Sequence, residues 1–457
     1  MRRLSGIRIA GLLNRPNDEI VVTIPADWEF VILHGPNGVG KTKLLEIISH
    51  TFSFRHRTLA DTPFTSAAFF FDDGSRLTVN RLTNPPLPLA VSESASESPH
   101  SPRLEYHLAA PHQQDISWTF PIRLPQIRPG LFREIERYLP VARVGPDLWI
   151  DHTTGEYLNA EILLDKYDDE IPNRQRVQPD LPEALTEFVK SVNIHLIETQ
   201  RLLRFVPSQR GQQGIRQRAT VDDFAEDLTR RIAATLAQNS RTSQQLDRTF
   251  PQRILKPRST AIVASDDEIR ARYEQQIQRR NSLVDITVLD PYADLPLPQR
   301  DLQDWERRVL WQWLDDSDQK LATFEELLDR ITLMKELINS RFLDKELIID
   351  SEQGFRFRTR TNQDLSAHQL SSGEQHELVL LYELLFKVSR NSIVLVDEPE
   401  ISLHILWQQQ FLNDITRVAS LTDLQFIIAT HSPQIVHTWA DRMVSLSHSG
   451  SNGDADA

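Results

Sequence analysis

The sequence predicts an α/β protein whose core is interrupted by a helical insertion, and three observations predict this fold class. Apolar runs in NSIVLVDEPE (391–400) and LQFIIATHS (424–432) are typical of parallel strands that are buried on both faces. Residues 20–34 suggest two short strands around a polar turn, and helical spacing of apolar residues follows at 44–54. From about 177 to 345 the pattern is mostly amphipathic and helical. We therefore expect a core with a mixed β-sheet and an inserted α-helical arm.

Composition limits the classes of protein that the chain can represent. Its 457 residues are 40% apolar and 25% charged, which is ordinary for a folded protein of two or three units. No run approaches the roughly 18 apolar residues of a membrane-spanning helix, and the N-terminus completes no signal-peptide pattern. We therefore expect a cytoplasmic protein without a membrane partner. The absence of cysteine excludes disulfides, thiolate metal sites and cysteine nucleophiles.

The patterns divide the chain into segments with different predicted roles. A hairpin is predicted at 67–79, turning at Asp73 and Gly74, and the Pro/Ser-rich residues 85–102 are typical of a disordered surface insertion. A second hairpin is predicted at 346–359. The predicted organisation is a first half of the core at 1–200, an inserted helical arm with short coiled-coil character at 201–345, a second half of the core at 346–446 and a flexible polar tail at 447–457.

The arm is expected to be short. Its longest amphipathic run, at 302–342, predicts a long helix, and a helix of about 30 residues extends about 45 Å. Long heptad repeats are missing from this part of the sequence, so an extended coiled-coil rod is not expected.

The stretch GPNGVGKT, from Gly35 to Thr42, matches the G-x-x-x-x-G-K-T pattern of a phosphate-binding loop between a strand and a helix. Glycine residues let backbone N–H groups curl round phosphates, and the helix that begins near Lys41 directs its positive dipole end at them. Lys41 would reach the outer phosphates, and Thr42 would offer its hydroxyl to Mg²⁺. The predicted ligands are ATP and Mg²⁺. The loop residues expected to contact the nucleotide are Gly35, Asn37, Gly38, Gly40, Lys41 and Thr42.

Two further strand ends carry candidate catalytic groups. The apolar strand IVLVDE ends in Asp397, a candidate Mg²⁺ ligand, and Glu398, a candidate general base that activates the attacking water. The strand at 424–429 leads into His431, which would lie beside the same phosphate if the strands are neighbours. A lone histidine at a strand end is otherwise usually structural.

Gln200 is a further candidate, because the strand-like stretch HLIETQ ends in an amide that could reach Mg²⁺ and the attacking water. A surface or packing role is the alternative for this glutamine.

The order of GPNGVGKT, ETQR, LSSGEQ, IVLVDEPEISLH and ATHS resembles the ATP-binding-cassette (ABC) ATPases, and specifically the soluble branch that includes SMC-like and OLD-type AAA ATPases. In that family LSSGEQ is the signature motif. The resemblance implies that Ser371 and Gly373, together with the helix N-terminus that follows, cap the γ-phosphate bound by Lys41 of a second copy. It also implies that Ser402 lies in a loop that crosses the interface of a homodimer or higher homo-oligomer beside Glu398.

This signature departs from the commoner LSGGQ form. Ser372 replaces the second glycine, and Glu374 replaces the usual glutamine. The variant is seen in the soluble branch of the family, so it disfavours the alternative of a transporter nucleotide-binding subunit.

The sequences of the stretches DEPEISLH, IATHSPQI and SSGEQHELVLLYELLF resemble those of the PtuA-like and AriA-like ATPase subunits of the Septu, retron-linked and PARIS anti-phage systems. That resemblance implies a sensor and scaffold that holds or releases a separate nuclease or toxin. The stretch after His431 has no room for the TOPRIM nuclease domain of OLD proteins, so we expect the effector to be another chain. A DNA repair ATPase of the SMC or RecF type is the alternative, and slow hydrolysis, with ATP as a structural ligand, is a third reading.

Two basic segments are candidate contacts for a trigger. Residues 201–218 carry five arginines and no acidic residue, and 248–258 carry four basic residues, although the net charge of the chain is −13. Such segments suit DNA or RNA phosphates or an acidic viral protein, and an ordinary subunit interface explains them equally well.

Overall fold

A computed structural model describes much of the chain. The described residues are 2–15, 18–82, 103–111, 114–120, 139, 141–145, 148–151, 157–158, 163, 167, 181–197, 202–207, 215–255, 264–286, 288–289, 296–436 and 438–446. The predicted disordered insertion at 85–102 and the predicted tail at 447–457 lie outside these ranges.

The strands in the described ranges follow one another in chain order. They are β1 (Leu4–Ala10), β2 (Glu19–Thr23), β3 (Phe30–His34), β4 (Ser66–Phe71), β5 (Arg76–Leu82), β6 (Arg103–Ala109), β7 (Ile116–Phe120), β8 (Val141–Gly145), β9 (Leu148–Asp151), β10 (Tyr157–Leu158), β11 (Asn193–Ile197), β12 (Leu203–Pro207), β13 (Ile215–Ala219), β14 (Lys345–Asp350), β15 (Gly354–Thr359), β16 (Asp364–Leu365), β17 (Ser392–Asp397), β18 (Gln425–Ala429) and β19 (Met443–Ser445).

The α-helices in the described ranges are also numbered in chain order. They are α1 (Lys41–Phe52), α2 (His56–Asp61), α3 (Glu183–Ser191), α4 (Thr220–Leu255), α5 (Asp266–Asp285), α6 (Asp304–Ala322), α7 (Glu325–Asn339), α8 (Ser372–Tyr382), α9 (Ile405–Thr422) and α10 (Pro433–Val436).

The chain forms two compact units. The first, which we call the sheet unit, comprises Met1–Arg218 and Lys387–Ala457, and the second, the helical unit, comprises Ala219–Phe386. The predicted α/β class with long helices is confirmed by these elements. No helix within the described residues is both long and apolar enough to cross a membrane.

The sheet unit contains a five-stranded parallel sheet with the order β11-β17-β18-β3-β19. Its three central strands, β17, β18 and β3, are buried along almost their whole length. Apolar side chains on both faces of a strand require cover on both faces, which explains the continuous apolar runs that predicted parallel strands. The strand β18 lies between β17 and β3, so these three strands end side by side.

A second sheet of the same unit is antiparallel, with the order β2-β1-β4-β5-β6-β7. The predicted hairpin at 67–79 is confirmed by the pairing of β4 with β5. Parallel and antiparallel strands thus occupy separate sheets in the described part of the chain. The apolar face of α1, including Leu44, Leu45 and Ile48, is buried in one hydrophobic cluster with side chains of both sheets. This packing fixes the position of the N-terminus of α1.

The helical unit is built on α4, which has 36 residues and therefore extends about 54 Å. The predicted long helix at 302–342 is instead two helices, α6 and α7, that meet at Thr323 and Phe324. At this break side chains bond the carbonyl of Lys320: Oγ1 of Thr323 donates to it at 2.7 Å and Nδ2 of Asn239 on α4 at 2.8 Å, and the same Nδ2 donates to Oγ1 of Thr323 at 3.1 Å. Phe324 is 2% exposed at this break. The end of α6 therefore combines a local contact from Thr323 with a contact from Asn239, which is distant in sequence.

Two further features of the helical unit bear on the sequence predictions. The hairpin predicted at 346–359 is confirmed by the pairing of β14 with β15. Within the basic segment 248–258, Arg253 donates to Oδ2 of Asp316 at 2.6 Å, so this arginine is engaged inside the unit rather than available to a phosphate.

Candidate functional site

The ends of three neighbouring strands form the site. Asp397 of β17 pairs with Ala429 of β18, and Ala429 pairs with Leu33 of β3, so the three strands end at the same level in the sheet. Glu398 follows β17, Thr430 and His431 follow β18, and the loop that begins at Gly35 follows β3. Ligands of parallel α/β sheets bind at this carboxyl edge. The predicted adjacency of these three strand ends is therefore present in the structure.

The loop between β3 and α1 has the backbone that a phosphate cradle requires. Pro36, Asn37 and Gly38 are exposed. Gly40, the N-cap of α1, has φ 104°, and a Cβ at this position would meet Cδ2 of Leu12 at 2.5 Å. The loop therefore needs glycine there, and it leaves the first N–H groups of α1 directed out of the helix N-terminus.

Lys41 lies in the first turn of α1 and is only 5% exposed. Its Nζ donates to the carbonyl of Gly35 at 2.8 Å and lies 3.3 Å from the carbonyl of Pro36 and from Nδ1 of His431. Burial lowers the pKa of Lys41 below its ordinary value, although nearby carboxylates, chiefly Glu398, oppose this shift. The ammonium is thus held at the mouth of the loop by the backbone carbonyls of Gly35 and Pro36.

Asp397 and Thr42 form the group that suits a magnesium ion. Burial raises the pKa of Asp397 to about 6, a hydrogen bond from Thr42 acts in the opposite direction, and the neighbouring acids Glu398, Glu46 and Glu400 raise it further. A hydroxyl and a carboxylate in contact with each other are hard oxygen ligands, which Mg²⁺ prefers. Their chemistry therefore fits the ion, whose charge would lower the cost of the crowded carboxylates.

Glu398 has φ 42° and ψ 58°, in the left-handed region that non-glycine residues rarely adopt. Such a conformation costs roughly 1–3 kcal/mol and persists where the surroundings over-determine it. The Glu398 amide donates to the carbonyl of Ala429 at 2.9 Å, and Oε1 of the side chain lies 3.6 Å from Nε2 of His431. The strained backbone therefore holds the carboxylate beside the imidazole.

The signature stretch lies in the helical unit, at the N-terminus of α8. Ser371 is the N-cap and is exposed, and its Oγ accepts from the Glu374 amide at 3.4 Å. Oε2 of Glu374 in turn accepts from the amide and the hydroxyl of Ser371, at 2.9 and 2.8 Å. Gly373 is in the first turn of the helix. The sequence therefore builds a capping box that leaves a helix N-terminus open to solvent.

The departure at Glu374 has a structural partner. Nζ of Lys345 lies 2.6 Å from Oε1 of Glu374. Burial raises the pKa of Glu374, but the hydrogen bonds from Lys345 and Ser371 outweigh burial and leave the pKa below its ordinary value. Glu374 is therefore ionised at neutral pH, and Lys345 compensates its negative charge next to the signature serine.

Gln200 and the side chain of Ser402, two parts of the predicted site, lie outside the described parts. Gln200 lies outside the described residues, although β11, the strand ahead of it in the chain, pairs with β17. Ser402 ends the 3₁₀ turn Pro399–Ser402, and its side chain lies outside the described parts.

Sequence reasoning missed three polar residues near the predicted groups. Glu400 and Gln408 contact the loop that carries His431, and Lys345 contacts the signature helix. The capping box itself was readable from the S-x-x-E spacing of Ser371 and Glu374. Nothing in the local sequence marked Lys345, which is brought there by the β14 strand.

Comparisons with known proteins show the family of the chain and a partial relative. A family model described as "AAA domain, putative AbiEii toxin, Type IV TA system" matches residues 30–437. A segment of 102 residues is 34% identical to the Retron Ec83 probable ATPase of Escherichia coli. That segment is 20% of this chain and 18% of the relative, so the match spans less than a fifth of the relative's length.

Solved structures of SMC head domains are similar at a low level. The head domain from Pyrococcus furiosus, solved with an extended coiled coil and bound to the C-terminal domain of ScpA, gives a TM-score of 0.33 at 13% identity over 97% of this chain and 93% of that chain. The head domain from Thermotoga maritima gives 0.30 at 10% identity over 97% and 94%. The fold class of the present chain follows from its own strand order.

The family match bears directly on the predicted resemblance. It covers the phosphate-binding loop, the signature stretch, the acidic strand end and His431, and it confirms the resemblance to AAA-type ATPases. Because the family model spans most of the sequence, the protein belongs to this AAA-domain family.

Proposed function

We propose that this chain binds and hydrolyses ATP with Mg²⁺. The observation that carries the proposal is the convergence of Lys41, Glu398 and His431 at three adjacent strand ends, with Nζ of Lys41 3.3 Å and Oε1 of Glu398 3.6 Å from the imidazole. Amides of the loop and of the α1 N-terminus, together with Lys41, would bind the phosphates. Thr42 and Asp397 would hold the magnesium ion, which neutralises phosphate charge when bound.

The protein groups divide the remaining work. Glu398 accepts a proton from the attacking water, the role of a general base. His431 lies between Lys41, 3.3 Å from its Nδ1, and Glu398, 3.6 Å from its Nε2, so an imidazole with its proton on Nε2 would contact both groups. That arrangement orients the Glu398 carboxylate. Gln200, by the family resemblance, would contribute to the magnesium and water positions.

We further propose that ATP is sandwiched between two copies of the chain, with Ser371 and Gly373 of one copy contacting the nucleotide of the other. The exposed capping-box N-terminus of α8 supports this, because such a terminus favours an anion. Three large apolar side chains that follow Glu398 in the chain, Ile401, Ile405 and Leu406, are 61%, 51% and 61% exposed. Exposed apolar groups of this size suit a protein interface, and Ser402 lies among them.

The biological role proposed is control of a separate nuclease or toxin in bacterial anti-phage defence. Support comes from the sequence resemblance to anti-phage ATPase subunits and from the 34% identity to the Retron Ec83 probable ATPase over one segment. A nucleic acid or a viral protein is the proposed class of trigger. Purified protein that degraded nucleic acid alone, with an activity that depended on residues 201–345, would contradict a separate effector.

The test of the activity is phosphate release from ATP by the purified chain. Wild-type protein is expected to turn over ATP only with Mg²⁺, and Lys41→Ala and Glu398→Gln are expected to lose the activity. Glu187→Ala, an exposed change on α3 of the same unit, serves as the matched control and is expected to keep it. Equal phosphate release by wild type and both site variants would contradict the proposal.

A further inference from the structure

Glu400 is a carboxylate that the proposed chemistry does not use, yet it contacts the loop that carries His431. Its Oε1 accepts from the backbone amide of His431 at 2.6 Å and from the amide of Ser432 at 3.1 Å. Hydrogen bonds from N–H groups to a carboxylate are short and about twice as strong as neutral ones. The loop after β18 is therefore tied to the 3₁₀ turn after β17.

The second oxygen of Glu400 distinguishes this contact from a surface hydrogen bond. Oε2 is buried and has no hydrogen-bond partner among the residues that the structure describes. A buried carboxylate oxygen without a partner loses solvation, so the contact through Oε1 must compensate for that loss.

Gln408, on α9, connects the same two loops from another direction. Its Nε2 donates to the carbonyls of Leu403 and Glu400, at 3.0 and 3.3 Å. Its Oε1 accepts from the hydroxyl of Ser432 at 2.7 Å. One amide side chain thus contacts the turn that follows Glu398 and the loop that contains His431.

Glu400 and Gln408 both contact segments next to the strained backbone of Glu398. Glu398 adopts φ 42°, and its amide donates to the carbonyl of Ala429, the last residue of β18. Contacts from Glu400 and Gln408 to the loop after β18 restrain the turn that follows this backbone. Such over-determination is what keeps a left-handed non-glycine residue in place.

We propose that Glu400 and Gln408 are positioning residues that hold the His431 loop against the end of β17, so that the imidazole stays between Lys41 and Glu398. This inference rests on the proposed ATP hydrolysis at the same site. Neither residue needs to touch the nucleotide. Both act through His431.

We call the contacts of Glu400 and Gln408 with the His431 loop the clamp. The first experiment tests the clamp without measuring ATP hydrolysis. Hydrogen exchange in a peptide spanning Ala429–Val436 is compared for wild type, Glu400→Ala, Glu400→Gln and the control Glu187→Ala. Glu400→Ala is expected to raise exchange of the His431 amide by about tenfold or more. Glu400→Gln keeps an acceptor oxygen and is expected to exchange close to the wild-type rate. Unchanged exchange in Glu400→Ala would overturn the clamp.

The second experiment separates positioning from folding and from binding. ATP affinity is measured with a fluorescent ATP analogue, and kcat by phosphate release. Glu400→Ala is expected to lower kcat by about 10²-fold with affinity nearly unchanged, as small misplacements of catalytic groups do. Glu400→Gln is expected to recover most of kcat, and Gln408→Leu provides an independent variant if Glu400→Ala does not fold.

The decisive comparison uses the His431→Ala background. If Glu400 acts through His431, adding Glu400→Ala to His431→Ala costs little further kcat, because the effects of residues that act as a unit are not additive. The proposal would be overturned if the kcat losses of the two single variants multiplied in the double variant, or if Glu400→Ala lowered ATP affinity together with kcat. If wild type releases no phosphate from ATP, the proposed function fails, and the exchange result still decides whether the clamp exists.

Discussion

Nζ of Lys41 lies 3.3 Å from Nδ1 of His431, and Nε2 of the same ring lies 3.6 Å from Oε1 of Glu398. An ammonium at Lys41 would donate to Nδ1, and the imidazole would then present a proton on Nε2 to the carboxylate. One imidazole therefore connects the lysine of the candidate phosphate-binding loop to the candidate base. This relationship joins the start of α1 to the segment after β17. The connection is His431, in the segment that follows β18.

The first prediction concerns that imidazole. His431→Ala is expected to lower kcat for ATP by about 10²-fold while ATP affinity changes little, because the variant loses the group that orients Glu398. His431→Gln, which retains an acceptor and a donor, is expected to be less impaired. Phosphate release at saturating ATP checks both. A His431→Ala rate within twofold of wild type would remove His431 from the account.

The second prediction concerns assembly. Glu398→Gln is expected to bind ATP without hydrolysing it, so mass photometry should show a gain in mass with ATP and Mg²⁺ that wild type shows only transiently. Chelation of Mg²⁺ by EDTA should reverse the gain. Lys41→Ala is the control and should stay at its starting mass. Unchanged mass of Glu398→Gln with ATP would contradict nucleotide-driven assembly.

The third prediction follows from the lowered pKa of Glu374. A carboxylate whose folded pKa lies below its ordinary value of 4.5 stabilises the fold above that value, and this contribution is lost as the pH falls through the folded pKa. Glu374→Gln, which introduces the glutamine of the commoner LSGGQ form, removes the negative charge that faces Lys345 at neutral pH. We expect a loss of about 1–2 kcal/mol, visible as an apparent Tm lower by a few degrees.

The difference in Tm between wild type and Glu374→Gln should shrink as the pH is lowered below 4.5. Glu352→Gln, an exposed carboxylate change in the same unit, is the matched control and should show no such trend. A Glu374→Gln difference that stayed constant down to the acid limit of folding would show that the ion pair with Lys345 does not contribute.

The fourth prediction concerns the helical unit. The hydroxyl of the fully buried Tyr382, the last residue of α8, donates to Oδ2 of Asp227 on α4 at 2.8 Å. Tyr382→Phe keeps the stacking on Phe224 and Phe386 but removes this bond. We expect a loss of about 1 kcal/mol, measured as a lower apparent Tm. An unchanged Tm would show that the hydroxyl does not help to join the two helices.

The sequence alone was sufficient for the elements whose information is local. A glycine loop between strand and helix, a strand ending in Asp397 and Glu398, and a strand ending in His431 are each short motifs. Continuous apolar runs are typical of strands buried on both faces and predicted parallel strands. Parallel strands bring their carboxyl ends to one edge of the sheet. That is why the groups around Lys41 were predictable before their distances were known.

Features that depend on distant residues were not predictable. Asn239 of α4 contacts the break between α6 and α7, and the charge of Glu374 is compensated by Lys345. The clamp by Glu400 and Gln408 requires the turn after β17 and the start of α9 to face the loop after β18. A periodic pattern reports which residues are buried in an element, but it does not report which polar side chain will meet which amide.

The central claim is that ATP is sandwiched between the loop of one copy and the signature of another. Its most direct test uses heterodimers purified by two different tags. One heterodimer carries Lys41→Ala in one protomer and Ser371→Arg in the other. The second pairs a wild-type protomer with one that carries both substitutions.

Phosphate release by each heterodimer is compared with wild type. If the signature acts across the interface, the first heterodimer retains one intact site and about half of the wild-type rate, and the second has none. If each signature serves its own chain, the first heterodimer is inactive and the second keeps about half of the rate. Activity in the first and none in the second is the result that we predict, and the reverse pattern would contradict the account.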